Sequence, residues 1–128
     1  MRSRSVAGKR SSVFVRNETK ETTLATRVVV ADTFLSRLIG LLGRTSLAPD
    51  AGIWILPANA IHTFGMRFRF DVVLIDRSYR VVGLRKGIRP FSATWPNFRA
   101  HSVLELPQDT LSRSRTEVGD QLRIEKNE

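Results

Sequence analysis

Hydrophobic and polar positions along this chain follow two periods, and the change from one to the other marks out its elements. Val13, Phe14 and Val15 open a short strand. Residues 18–23 are polar and turn the chain, and residues 24–31, rich in β-branched side chains, read as a second strand. Phe34, Leu35, Leu38, Leu41 and Leu42 then recur at helical spacing and make one apolar stripe. Asp32 suits the N-cap of that helix, since its carboxylate can accept the free amide protons of the first turn. Gly43 suits its end, with Arg44 nearby to complement the helix dipole. A turn containing Pro49 and Asp50 leads to a strand over residues 53–56, stopped by Pro57.

From Phe64 the pattern alternates, with Phe64, Met66, Phe68 and Phe70 on one face and Gly65, Arg67, Arg69 and Asp71 on the other. Residues 72–75 are apolar at every position, which predicts a strand covered on both faces and places Phe68 and Val73 in the core. Residues 76–78 turn, and residues 79–84 return as the partner strand. Residues 85–100 read as a long irregular loop broken by Gly87, Pro90 and Pro96, with Phe91, Trp95 and Phe98 between the breakers. The three rings predict a loop plugged onto the core rather than a disordered one. Residues 101–106 form a strand closed by Pro107, residues 108–117 are a polar connection, and Gly119-Asp120 turns into a last strand over residues 121–125. A single helix without βαβ alternation predicts an α+β fold, a mostly antiparallel, partly closed, barrel-like sheet with one main α-helix packed on it. Residues 1–11 have no apolar period and predict a disordered basic tail ahead of a single domain over residues 12–128.

Composition narrows the chemistry. The chain has 128 residues and no cysteine, so disulfides, zinc–thiolate sites, iron–sulfur clusters and thiol catalysis are excluded. No apolar run approaches the roughly 20 residues of a membrane helix, and residues 1–20 lack the apolar segment of a signal peptide. No membrane span and a cytoplasmic location are the expectations. The net charge of +9 is uneven: residues 1–20 carry six cations against Glu18, and residues 61–100 carry eight against Asp71 and Asp76.

Several blocks together resemble the family known as domain of unknown function 192. They are Ala31-Asp32-Thr33, Arg37, residues 40–44 (GLLGR), residues 61–66 (IHTFGM), Asp71-Val72-Val73 with Ile75-Asp76, residues 103–107 (VLELP), and Gly119-Asp120. The resemblance spans about residues 13–125 and implies a fold class, without an accepted activity. The chain departs from the family pattern at Ala58, where cysteine is frequent, and at Arg69, where proline is frequent.

Candidate chemistry concentrates in two places. His62, Thr63, Met66, Arg67, Arg69 and Asp71 form a candidate ligand site. A histidine side chain titrates near neutrality and suits a general base or a proton-sensitive contact. Alternation puts Arg67, Arg69 and Asp71 side by side, as a solvated strand face or as an anion site in which Asp71 orients a guanidinium. The second place is Arg85, Lys86, Arg89, Trp95 and Arg99, with Phe91 and Phe98, because cations interleaved with rings make up single-strand nucleic-acid surfaces. His62, His101, Asp71, Asp76 and Glu105 are competent metal ligands, but no spacing gathers them, so no metal is assigned. No phosphate loop, dinucleotide fingerprint or nucleophile elbow is present, and no cofactor is expected. The leading reading is a non-catalytic binding or accessory module for a small anionic ligand or a protein partner. The rivals are a hydrolase using His62 with Asp71 or Glu105, and a single-stranded nucleic-acid binder acting through residues 85–99.

Overall fold

The computed structural model describes residues 12–31, 47–60, 68–90 and 92–127. Strand β1, Ser12–Asn17, alternates half-buried and buried positions, so that Val13, Val15 and Asn17 turn inward. It pairs antiparallel with β2, Thr22–Ala31. β2 then pairs in parallel with β3, Ala51–Ile55, from Arg27 opposite Ala51 to Ala31 opposite Ile55. Parallel neighbours need a crossover of a dozen or more residues, and the chain between these strands is long enough to supply one. This one parallel pair makes the sheet mixed, within the mostly antiparallel arrangement expected. The expected helix beginning at Asp32 falls in this stretch and lies outside the described residues, as do the tail 1–11 and residues 61–67.

β4, Phe70–Ile75, is buried at every position, as its unbroken apolar run requires. It starts at Phe70 rather than Phe64, and Phe68 and Arg69 precede it. β5, Val81–Ile88, runs antiparallel beside it, and β6, Ser102–Pro107, pairs with both β4 and β3. A short helix α1, Thr110–Ser114, follows where a polar connection was expected, and β7, Leu122–Lys126, returns to pair antiparallel with β1. The order across the sheet is β5-β4-β6-β3-β2-β1-β7. The sheet is mixed and mostly antiparallel, curled into an open half-barrel, with α1 its one helix among the described residues. The outermost strands meet at one point, the antiparallel bridge of Arg80 with Gln121. There the Val81 N–H donates to the Asp120 carbonyl at 2.9 Å, and the Leu122 N–H donates to the Tyr79 carbonyl at 2.8 Å.

The two faces of the sheet carry separate apolar clusters. Val15, Val28, Trp54, Val73, Leu104 and Leu111 belong to the first. There the Trp54 indole meets Tyr79 edge-on at 5.8 Å and donates to Ser102 Oγ at 2.9 Å, satisfying its one polar group. Ala31, Ile53, Phe70, Val72, Leu74 and Val103 belong to the second, with Phe68 partly buried against it. Val73 is fully buried as expected; Phe68 is only half so. Gly52 marks a close approach of β3 to β6, because a Cβ there would stand 2.9 Å from the Glu105 carbonyl oxygen.

β5 extends to Ile88, so Arg85 and Lys86 lie on a strand rather than in a loop. The sequence suggested a break at Gly87. That residue instead sits at φ +60 in a bulge, where the pairing jumps from Val72 opposite Arg85 to Phe70 opposite Ile88. The extra residue leaves both Arg85 and Lys86 exposed. Asp71 holds this bulge in place: its carboxylate accepts the Gly87 N–H at 2.8 Å and the Leu111 N–H of α1 at 2.9 Å. The expected charged, solvated strand face is therefore not found at Asp71, which is 1 % exposed.

Candidate functional site

Residues 92–100 are anchored by polar groups rather than by rings. The Asn97 side chain donates to the Val82 carbonyl at 3.1 Å, and the Asn97 N–H donates to the Asn59 carbonyl at 3.0 Å. With the backbone held this way, Trp95 and Phe98 point outward and are 82 % and 87 % exposed. The expectation of rings plugging the core is thus corrected for Trp95 and Phe98, while Phe91 lies outside the described residues. Large exposed aromatics in close sequence mark an interaction surface more than a stability device.

These rings border a hollow of about 400 Å³ between the loop and β5, where Leu74 and Leu84 form the floor and Arg85 and Arg99 stand beside Trp95 and Phe98. A second hollow of about 340 Å³ lies on the other side of Phe98 and Arg99, bordered by Asp76, Arg77, Ser78 and His101. Phe98 and Arg99 are common to both, so they form a ridge between two depressions. Among the described residues, Arg77, Arg85 and Arg99 make no ion pair with a carboxylate. Asp76 accepts the Ser78 and Arg80 backbone N–H groups, each at 2.9 Å, which commits it to its own turn. Arg89 follows β5 on the surface, and Lys86 borders a different hollow with Lys20, Arg115 and Glu117.

Among the described residues, the other candidates do not converge. His62, Thr63, Met66 and Arg67 lie outside the described residues, and Arg69 is exposed just ahead of β4. Asp71 shares the sheet face of Val73 and Leu111, the first cluster. Glu105 lies opposite Ile53 and Val72, on the face of the second cluster. The two carboxylates therefore stand on opposite sides of the sheet. Glu105 is 5 % exposed, and among the described residues nothing hydrogen-bonds to its carboxyl; burial alone pushes it up to about 8. No helix among the described residues is long and apolar enough to cross a membrane, and no three described side chains gather as a metal site.

Sequence reasoning singled out Arg85, Trp95 and Arg99, named His101 only as a competent metal ligand, and passed over Arg77 and Ser78, which border the second hollow. Arg77 and Ser78 read as turn residues, and no spacing signal links position 77 to position 99.

The chain is similar to several archaeal proteins that carry a family label. It is 32% identical over 120 residues to a UPF0127 protein of Thermococcus sibiricus, covering 88% of this chain and 75% of that one. It is 30% identical over 112 residues to the UPF0127 protein PH1112 of Pyrococcus horikoshii, covering 84% of this chain and 95% of the other. A crystal structure of a protein of unknown function from Novosphingobium aromaticivorans shares the fold, with a TM-score of 0.75 at 21% identity, over 95% of this chain and 91% of that one. The family model described as uncharacterized ACR matches residues 15–124, and the chain accordingly belongs to the DUF192 family.

Proposed function

We propose that this protein is a non-catalytic binding module that holds a small anionic ligand with a flat apolar portion, in the hollow between β5 and residues 92–100. One observation carries this reading. Two nearly fully exposed rings, Trp95 and Phe98, border the same hollow as two guanidinium groups, Arg85 and Arg99, that lack a carboxylate partner among the described residues. Exposing such rings leaves apolar area wet, and leaving guanidinium groups unpaired keeps their donors available. A ligand with a ring and a negative charge satisfies both. Anilinonaphthalene sulfonate has both features and serves as the probe. Trp95 is the exposed one of the chain's two tryptophans, so its fluorescence reports occupancy, while buried Trp54 is shielded. Saturable, salt-sensitive quenching that disappears in an Arg85→Ala, Arg99→Ala double variant is expected. Quenching that survives the double variant unchanged overturns the reading.

A second reading, an enzyme using Glu105 with His62, is favoured by one feature. A buried carboxyl raised to about 8 is poised near neutral pH for proton transfer. Asp71 is poorly suited to that role, since both its oxygens already accept backbone N–H groups. A hydrolytic activity against nitrophenyl esters or phosphates that titrates near the Glu105 value and vanishes in Glu105→Gln would establish it.

A further inference from the structure

We infer that this surface also accepts single-stranded nucleic acid bridging both hollows, an inference that rests on the ring-and-guanidinium site of the reading above and extends it from a small anion to a polyanion. The two depressions share the Phe98–Arg99 ridge, so an occupant of one abuts an occupant of the other. A single small ligand would use one hollow and leave Arg77 and His101 idle. A polymer with repeating anionic and planar parts uses the whole surface. Its bases stack on Trp95 and Phe98, whose faces are open to solvent. Its phosphates pass Arg85, Arg99 and Arg77, one cation beside each depression and one on the ridge between them. Three cations, Arg77, Arg85 and Arg99, and one carboxylate, Asp76, border the two hollows, so the surface carries a net positive charge that favours a polyanion. Asp76 Oδ1 is held by the backbone N–H groups of its own turn. A duplex hides its base faces inside the stack and cannot use the rings, which selects the unpaired strand.

The test uses the full chain and a fluorescein-labelled oligothymidylate of roughly eight nucleotides, within the usual range for one binding surface. Affinity is measured by anisotropy at about 50 and about 200 mM salt. Thymidine monophosphate and a duplex of equal length serve as competitors. The oligomer is expected to bind far more tightly than the mononucleotide and the duplex, with a slope of about −0.7 in log affinity against log salt for each neutralised phosphate. Trp95→Ala and Phe98→Ala should each weaken it about 5- to 150-fold, from the worth of one stacked base, without lowering the thermal midpoint. Arg77→Ala should reduce the salt slope for the oligomer and leave the mononucleotide unaffected. If the mononucleotide displaces the sulfonate probe as well as the oligomer does, and Arg77→Ala changes neither, the polymer inference is overturned while the anionic-ligand reading stands. If the duplex binds as tightly as the single strand, stacking on the rings is refuted. If neither nucleotide species nor the sulfonate probe responds to Trp95→Ala, both the inference and the reading beneath it fail.

Discussion

At the centre of β6, Glu105 exchanges water for apolar neighbours, and its carboxyl rises from an ordinary 4.5 to about 8. Between those values the folded state binds one more proton than the unfolded chain. Stability is therefore full below the lower value and declines as pH climbs through the upper one. Glu105→Gln removes the titrating group, so its stability should lack this decline, which in the wild type amounts to a few kcal/mol in order of magnitude. Denaturant unfolding of both proteins across that pH window measures it; parallel curves would show that ionised Glu105 is already well hydrated or paired. Trp95 makes the contrasting case. At 82 % exposure its ring contributes little packing, and Trp95→Ala should shift the unfolding free energy by less than about 0.5 kcal/mol. A loss of several kcal/mol would mean the ring is packed after all. Composition made Trp95 a candidate, but not its direction. That direction follows from Asn97, whose hydrogen bonds to Val82 and Asn59 hold the loop without the Trp95 and Phe98 rings.

Among the elements, Asp71 links three at once: β4 that carries it, the β5 bulge at Gly87, and α1 through Leu111. Asp71→Ala strands the buried Leu111 N–H, at a cost of about 1–3 kcal/mol. Thermal unfolding would register the loss, and faster amide exchange at Gly87 and Leu111 would locate it; unchanged exchange at both would show that these donors find other acceptors. The elements that alternate or run apolar without interruption, β1, β2, β3, β6 and β7, were legible to within a few residues, because local pattern and burial agree. α1 was not. Its sequence, TLSRS, has no helical stripe, and it is held by tertiary partners: the Asp71 carboxylate, and Thr22 Oγ1 donating to the Ser114 carbonyl at 2.9 Å. The reach of β5 was hidden for a related reason. A glycine reads as a breaker in sequence, whereas a bulge with positive φ uses it as continuation. The parallel partner of β2 had no local signature at all, since strand alternation is the same whichever way the neighbour runs.

For the molecule as a whole, residues 1–11 are rich in cations and poor in apolar side chains in sequence. Removing residues 1–11 should leave the thermal midpoint within about 2 °C; a larger drop would show that they dock. The seam joining the sheet's two edges has a further consequence. Asn17, fully buried on β1, donates to Thr116 Oγ1 at 3.1 Å and to Asp120 Oδ2 at 2.9 Å, and β7 adds five paired positions alongside the same strand. Residues 119–127 thus contribute an added strand, the buried Leu122 side chain, the Asp120 acceptor and the seam to residues 79–81, and the strand itself adds in the way that separate peptides do by β-augmentation. A chain ending at Val118 should lose cooperative unfolding, with its β1 edge open. A synthetic peptide of residues 119–127 should restore it in trans, and restore it less well with Asp120→Ala. A truncated chain that unfolds cooperatively at the original temperature without the peptide would refute this. If the rescue succeeds, the protein can be split into two inert fragments whose reunion is read from the Trp54 signal.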